Sequence, residues 1–187
     1  MSRNLVVIGI STGGPITLKE LFSRLPPLPA AFLVVLHITP HMDRRIALGL
    51  SAAASMPVRL AEHGECLRAG MVYLAPGGFH LKLEGNQRVA LCEGPRVNYV
   101  QPSVDVTMLS LARPCWNSKL IGAVMTGMGK DGAEGIRHIR QLGGITLAQD
   151  QKSSTIYGMP KAAVETGAVD FVLPPARMAA KLIELLS

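Results

Sequence analysis

The sequence predicts an α/β fold, a doubly wound and mostly parallel sheet with an antiparallel hairpin and helices on both faces. Short continuous apolar runs rich in β-branched residues recur along the 187 residues, and segments with apolar residues at helical spacing alternate with them. Midway, two alternating segments flank a Gly-Asn pair, the signature of a tight hairpin.

Residues 5–10 and 32–36 are uninterrupted apolar runs, as expected of strands buried on both faces. Between them, Leu18, Leu21, Phe22 and Leu25 recur at helical spacing, and Pro15 suits a first turn, which predicts a helix over 15–25. A helix over 43–54 and short strands at 58–61 and 71–75 follow. Residues 80–83 and 88–92 form the hairpin about Gly85-Asn86. The second half resumes the alternation, with a helix over 103–112, a strand at 120–125 and a helix over 133–142. A strand at 145–149, a helix over 160–166, a strand at 171–173 and a helix over 176–186 complete it. In such sheets, active sites collect beyond the carboxyl ends of the strands.

Residues 1–187 are expected to form a single domain, since no linker-like tract or internal repeat divides the chain. The apolar runs are far shorter than the roughly 20 residues a membrane helix needs, and the N-terminus passes directly into the first strand, with no room for a signal peptide. The reading is a cytoplasmic protein without membrane insertion. Cys66, Cys92 and Cys115 are odd in number and widely spaced, which suggests neither disulfides nor zinc. A net charge of +6 can steer acidic partners. With scattered cations and 4% aromatic residues, however, no stacking platform for nucleic acid is expected.

Gly9-Ile10-Ser11-Thr12-Gly13 has the spacing G-x-S-x-G where the first strand enters the first helix. Small neighbours allow a sharp turn that lifts a serine hydroxyl above the sheet edge, beside helix N-terminal amides. The plainer alternative is that Ser11 caps the helix. A serine needs a base, and His37 ends the second strand, at the same edge if the two strands are neighbours. His41, His63, His80 and His138 stand in poorer contexts. His37 and His41 alone make a weak metal site with no third ligand indicated. After the run 120–124, Thr126-Gly127-Met128-Gly129-Lys130-Asp131-Gly132 reads as a tight loop with free amides and a carboxylate aimed across the edge, or with Asp131 as a helix cap. Because Asp131 follows Lys130 where Ser or Thr is required, this is not a phosphate loop of the Walker type.

These motifs, with Tyr73-Leu74-Ala75-Pro76-Gly77-Gly78, Pro102-Ser103-Val104-Asp105-Val106 and Tyr157-Gly158-Met159-Pro160, resemble the catalytic domain of CheB-type chemotaxis protein-glutamate methylesterases over nearly the whole chain. The resemblance implies a cytoplasmic hydrolase with Ser11 as nucleophile, His37 as general base and acid, and Asp131 as its orienting partner. It further implies an oxyanion hole from the Thr12 and Met128 amides, and no cofactor or metal. The implied substrate is a glutamate methyl ester on a methyl-accepting receptor, with glutamine deamidation as a companion activity. A non-catalytic signalling domain that retains the fold is the alternative. Leu36 stands where the family commonly has Gln, Ile38-Thr39-Pro40 where a Met-Pro pair follows the histidine, and Gln101 where Arg is frequent. Longer members carry an N-terminal phosphoacceptor receiver domain. None is expected within this chain, which reads as a catalytic fragment or a short member, active without a phosphodonor.

Overall fold

The structure is a computed structural model and describes residues 4–114 and 117–187. Its strands are β1 (Asn4–Ile10), β2 (Ala30–Leu36), β3 (Val58–Leu60), β4 (Met71–Leu74), β5 (His80–Glu84), β6 (Arg88–Cys92), β7 (Leu120–Val124), β8 (Ile145–Gln149) and β9 (Phe171–Leu173). The helices are α1 (Gly14–Phe22), α2 (Asp43–Ser51), α3 (Val104–Leu109), α4 (Ala133–Gln141), α5 (Gly158–Glu165) and α6 (Pro175–Leu186). Seven strands form one parallel sheet in the order β3-β4-β2-β1-β7-β8-β9. β5 and β6 pair antiparallel as a separate ribbon, and Gly85 and Asn86 both take positive φ at its turn. β1 is central: the chain winds outward from it to β4 and β3, then returns to place β7 on its other side. The boundary between β1 and β7 is therefore the topological switch point, where open α/β sheets bind ligands.

Strand alternation divides the core into two layers. Val6, Ile8 and Ile10 of β1 pack with Leu18, Leu21 and Phe22 of α1, Leu50 of α2 and Leu182 of α6. Leu5 and Val7 face Val104 and Met108 of α3, Ile136 and Ile139 of α4, Met159 of α5, and Leu81 and Leu83 of the ribbon. Each fully buried aliphatic side chain of this kind contributes about 1.5–3 kcal/mol. Two close approaches fix the layers near the switch point. A β-carbon on Gly9 would lie 2.3 Å from Val104 Cγ1, so α3 rests directly on β1. One on Gly127 would lie 2.3 Å from Met159 Sδ and 2.7 Å from Ser11 Cβ, so the loop after β7 lies against the turn after β1.

The expected elements are present with shifted ends. α3 is shorter than the predicted 103–112 because Ser103 is its cap, its side chain accepting from the Val106 amide, and the chain leaves the helix at Ser110. There Ser110 Oγ donates to the Thr107 carbonyl and accepts from the Leu83 amide of β5. α5 begins at Gly158, ahead of Pro160, because the Gly158 and Met159 amides both donate to the Gly127 carbonyl. Cys66 and Cys92 are free thiols, and Cys115 and Met1 to Arg3 lie outside the described residues. Among the described residues, no helix is long and apolar enough to cross a membrane, and no group of three or more His, Cys, Asp or Glu could hold a metal ion.

Candidate active site

Ser11 and His37 are the residues immediately beyond the last pair of the β1–β2 ladder, Ile10 and Leu36. The ladder continues one step further, with the His37 amide donating to the Ile10 carbonyl at 3.1 Å. On the other side the Ser11 amide donates to the Thr126 carbonyl at 2.8 Å, so the serine is held from both neighbouring strands. Gly13, with φ of 82°, takes the left-handed turn that leads into α1, and it is the helix cap residue. Ser11 makes no side-chain cap to α1, which removes the plainer explanation for a serine there. Ser11 is half-buried, and its hydroxyl has no hydrogen bond to His37 or to any other described residue.

His37 does have a partner. Its Nε2 donates to Asp131 Oδ2 at 2.7 Å, and the two side chains are only 9% and 3% exposed. Nδ1 is then the nitrogen left for a proton transfer. Asp131 does not cap α4, whose cap residue Gly132 offers no side chain. Its carboxylate reaches α3 instead. Oδ2 also accepts from the Val104 amide at 2.6 Å, and Oδ1 accepts from Ser103 Oγ at 2.8 Å, Asn98 Nδ2 at 2.9 Å and the Asp105 amide at 3.1 Å. Burial opposes ionisation of Asp131, but the bonds from His37, Asn98, Val104 and Ser103 outweigh it and hold the carboxyl below its ordinary value of 3.8. Asp131 is thus an anion at neutral pH.

A second carboxylate lies beside the first. Asp105 Oδ1 accepts from the Gly132 and Gly135 amides at 3.0 and 2.8 Å, and Oδ2 from Asn98 Nδ2 at 2.9 Å. Burial, then the nearby Asp131 charge, raise the Asp105 carboxyl above its ordinary range despite those bonds.

The Thr12 carbonyl accepts from Thr126 Oγ1 at 2.9 Å, which ties the turn after β1 to the loop after β7. Among the described residues, neither the Thr12 nor the Met128 amide has a protein acceptor. Met128 itself is 77% exposed at the rim. The remaining histidines are elsewhere: His41 is exposed, His63 Nδ1 accepts from the Leu91 amide, and His80 and His138 donate through Nε2 to backbone carbonyls. Leu36 is a buried core residue, and Gln101 Nε2 donates to the Gly94 carbonyl.

A sequence profile for CheB methylesterase matches residues 6–182. The chain belongs to the CheB methylesterase family. Its fold superposes with a TM-score of 0.90 on the crystal structure of the Thermotoga maritima CheB methylesterase catalytic domain, at 39% identity and covering 97% of each chain. A protein-glutamate methylesterase/protein-glutamine glutaminase of Symbiobacterium thermophilum is 46% identical over 93% of this chain. One of Pyrococcus horikoshii is 42% identical over 92%. This CheB-family chain spans about half the length of the curated relatives it matches, 48% in both cases.

Asn98, Ser103 and Asp105 are site residues that sequence reasoning missed. Ser103 and Asp105 lie within the Pro-Ser-Val-Asp-Val motif, which pointed to the family without revealing that it wraps a carboxylate. Asn98 left no signal beyond its place before that motif.

Proposed function

We propose that this chain is a serine hydrolase acting on glutamate methyl esters of methyl-accepting receptors, with Ser11 as nucleophile, His37 as base and acid, and Asp131 as the group that orients and charges His37. The observation that carries the reading is the His37–Asp131 hydrogen bond, made by the histidine that stands level with Ser11, each one residue past the Ile10–Leu36 pair. An imidazole with Nε2–H committed to a buried anion presents Nδ1 as an acceptor, the form needed to take a hydroxyl proton. The nitrogen roles are the reverse of those in the chymotrypsin-type triad, where the aspartate holds Nδ1.

Ser11 Oγ attacks the ester carbonyl carbon while its proton passes to His37 Nδ1. Negative charge develops on the carbonyl oxygen, and the Thr12 and Met128 amides are the donors proposed to receive it. Collapse breaks the bond to the methoxy group, which leaves as methanol with the proton from His37. Water, deprotonated by His37, then attacks the glutamyl-Ser11 ester, restoring Ser11 and releasing the glutamate carboxylate. The same steps on a side-chain amide release ammonia, in keeping with the glutaminase named in the relatives. The Ser11–His37 hydrogen bond forms as substrate binds, as is common for catalytic contacts that are long in the free enzyme.

The reading takes the enzyme to be cytoplasmic, with the receptor as protein substrate and, in a longer polypeptide, a receiver domain as partner. Labelling by a fluorophosphonate tests the site: mass spectrometry should find the adduct on Ser11, and its loss in His37→Ala. Absence of any Ser11 adduct in the folded protein would favour the non-catalytic signalling domain.

A further inference from the structure

We propose that Asn98 is a positioning residue of the active site, a clamp whose single side-chain amide group holds Asp131 on His37 by bridging Asp131 and Asp105. This rests on the catalytic reading given above for His37 and Asp131. Asn98 Nδ2 lies 2.9 Å from Asp131 Oδ1 and 2.9 Å from Asp105 Oδ2. Both contacts are with carboxylate oxygens, so the side-chain nitrogen must face them and each of its hydrogens has an acceptor.

The backbone is built to deliver that group. Val97 and Val100 exchange both backbone hydrogen bonds, at 3.2 and 3.1 Å, around Asn98 and Tyr99, which have φ of 53° and 66°. Positive φ at both central positions defines a tight turn in which Asn is tolerated and Tyr is not favoured. Tyr99 is 92% exposed, so no packing repays its conformation, while Asn98 turns inward to the two carboxylates. Strain of this kind is kept where the geometry it enforces is used.

The electrostatic need is plain. The titratable groups facing one another here are His37 from the end of β2, Asp131 from the loop before α4, and Asp105 from α3. Two adjacent carboxylates resist joint ionisation unless donors lie between them. Ser103 and the amides of α3 and α4 each serve one carboxylate, whereas among the described residues Asn98 alone gives a side-chain donor to both. Without it, a proton shared by the pair persists to higher pH, and Asp131 spends part of its time neutral or turned from His37 Nε2.

The test uses Asn98→Gly, which suits the positive φ and removes the side chain with its amide, and Asn98→Asp, which keeps the shape and adds a third carboxylate. The Asp131 carboxyl midpoint should rise by about one pH unit in Asn98→Gly, and further in Asn98→Asp. The plateau kcat should fall roughly tenfold, with KM little changed. Carboxyl ¹³C titration of Asp131 and Asp105 in a Ser11→Ala background should show both midpoints displaced, a readout that needs no turnover and stands even if ester hydrolysis is not the activity. In the unsubstituted chain, the Asn98 side-chain ¹⁵NH₂ resonances should move with both titrations, which tests the bridge should either variant not fold. An Asn98→Gly variant with the parent carboxyl midpoints and plateau rate, or Asn98 resonances indifferent to the two carboxyls, would overturn the proposal. A loss of stability alone, with unchanged carboxyl midpoints and rate in the folded fraction, would reduce Asn98 to a turn residue.

Discussion

Asp131 and Asp105 cap each other's helices. Asp131, just before α4, accepts from the first amides of α3, those of Val104 and Asp105, while Asp105, on α3, accepts from the Gly132 and Gly135 amides at the start of α4. The exchange satisfies backbone donors that each helix start would otherwise leave open. It also fixes the angle at which Asp131 meets His37, so the site's orienting group is built into the packing of two helices.

The two carboxyls should affect the pH dependence of stability with opposite sign. Asp131 titrates below 3.8 in the fold, so it releases protons on folding and contributes stability that is present above that value and lost as pH falls through its folded midpoint. Asp105 titrates above 3.8, so its contribution is fullest below that value and is lost as pH rises through its folded midpoint. Asp105→Asn should therefore steepen the loss of stability on acidification, and Asp131→Asn should flatten it. Denaturant melts between pH 3 and 7 read both, and parallel curves for the two variants would contradict the assignment.

A methyl group at Gly127 has nowhere to go, because it would lie 2.7 Å from Ser11 Cβ and 2.3 Å from Met159 Sδ. Gly127→Ala should shift the serine with a loss of about 1–3 kcal/mol in stability, the usual cost of overpacking. Displacing a reacting atom by about 1 Å costs on the order of 100-fold in rate. Rate per folded molecule, measured beside a thermal melt, should thus fall much more than stability. An unchanged rate would mean that Ser11 is not held by this contact.

Gly9 is equally constrained, but by Val104 of α3. Gly9→Ala should push α3 away from β1 and with it the Val104 amide that binds Asp131, lowering both stability and rate. Val104→Ala in the same chain should recover most of the rate by making room. Additive losses in the double variant would show that the Val104 contact does not transmit the effect.

Much of this was legible in the sequence because parallel strands buried on two faces are written as continuous apolar runs, as in Leu5 to Ile10, and the helices between them as periodic ones. Strand ends follow directly, and Ser11 and His37 lie at two of them. Helix ends were less legible: α3 stops where Ser110 meets Leu83 of the ribbon, a tertiary contact with no local signal. The same is true of the carboxylate cluster. Asn98 reaches Asp131 across 33 positions through a tight turn, and spacing along the chain does not encode such a meeting. Nor could it show that Asp131 takes Nε2 of His37 and leaves Nδ1 for the serine.

The central claim is that Ser11, served by His37, breaks the ester. Methanol release from a methylated receptor tests it most directly, compared among the unsubstituted chain, Ser11→Ala, His37→Ala and the double variant. Ser11→Ala should fold normally and lose several orders of magnitude in rate, His37→Ala should lose a similar amount, and the double variant should be little worse than either alone, since the two act as a unit. A Ser11→Ala chain that retains activity to within about tenfold, or losses that simply multiply in the double variant, would contradict the account.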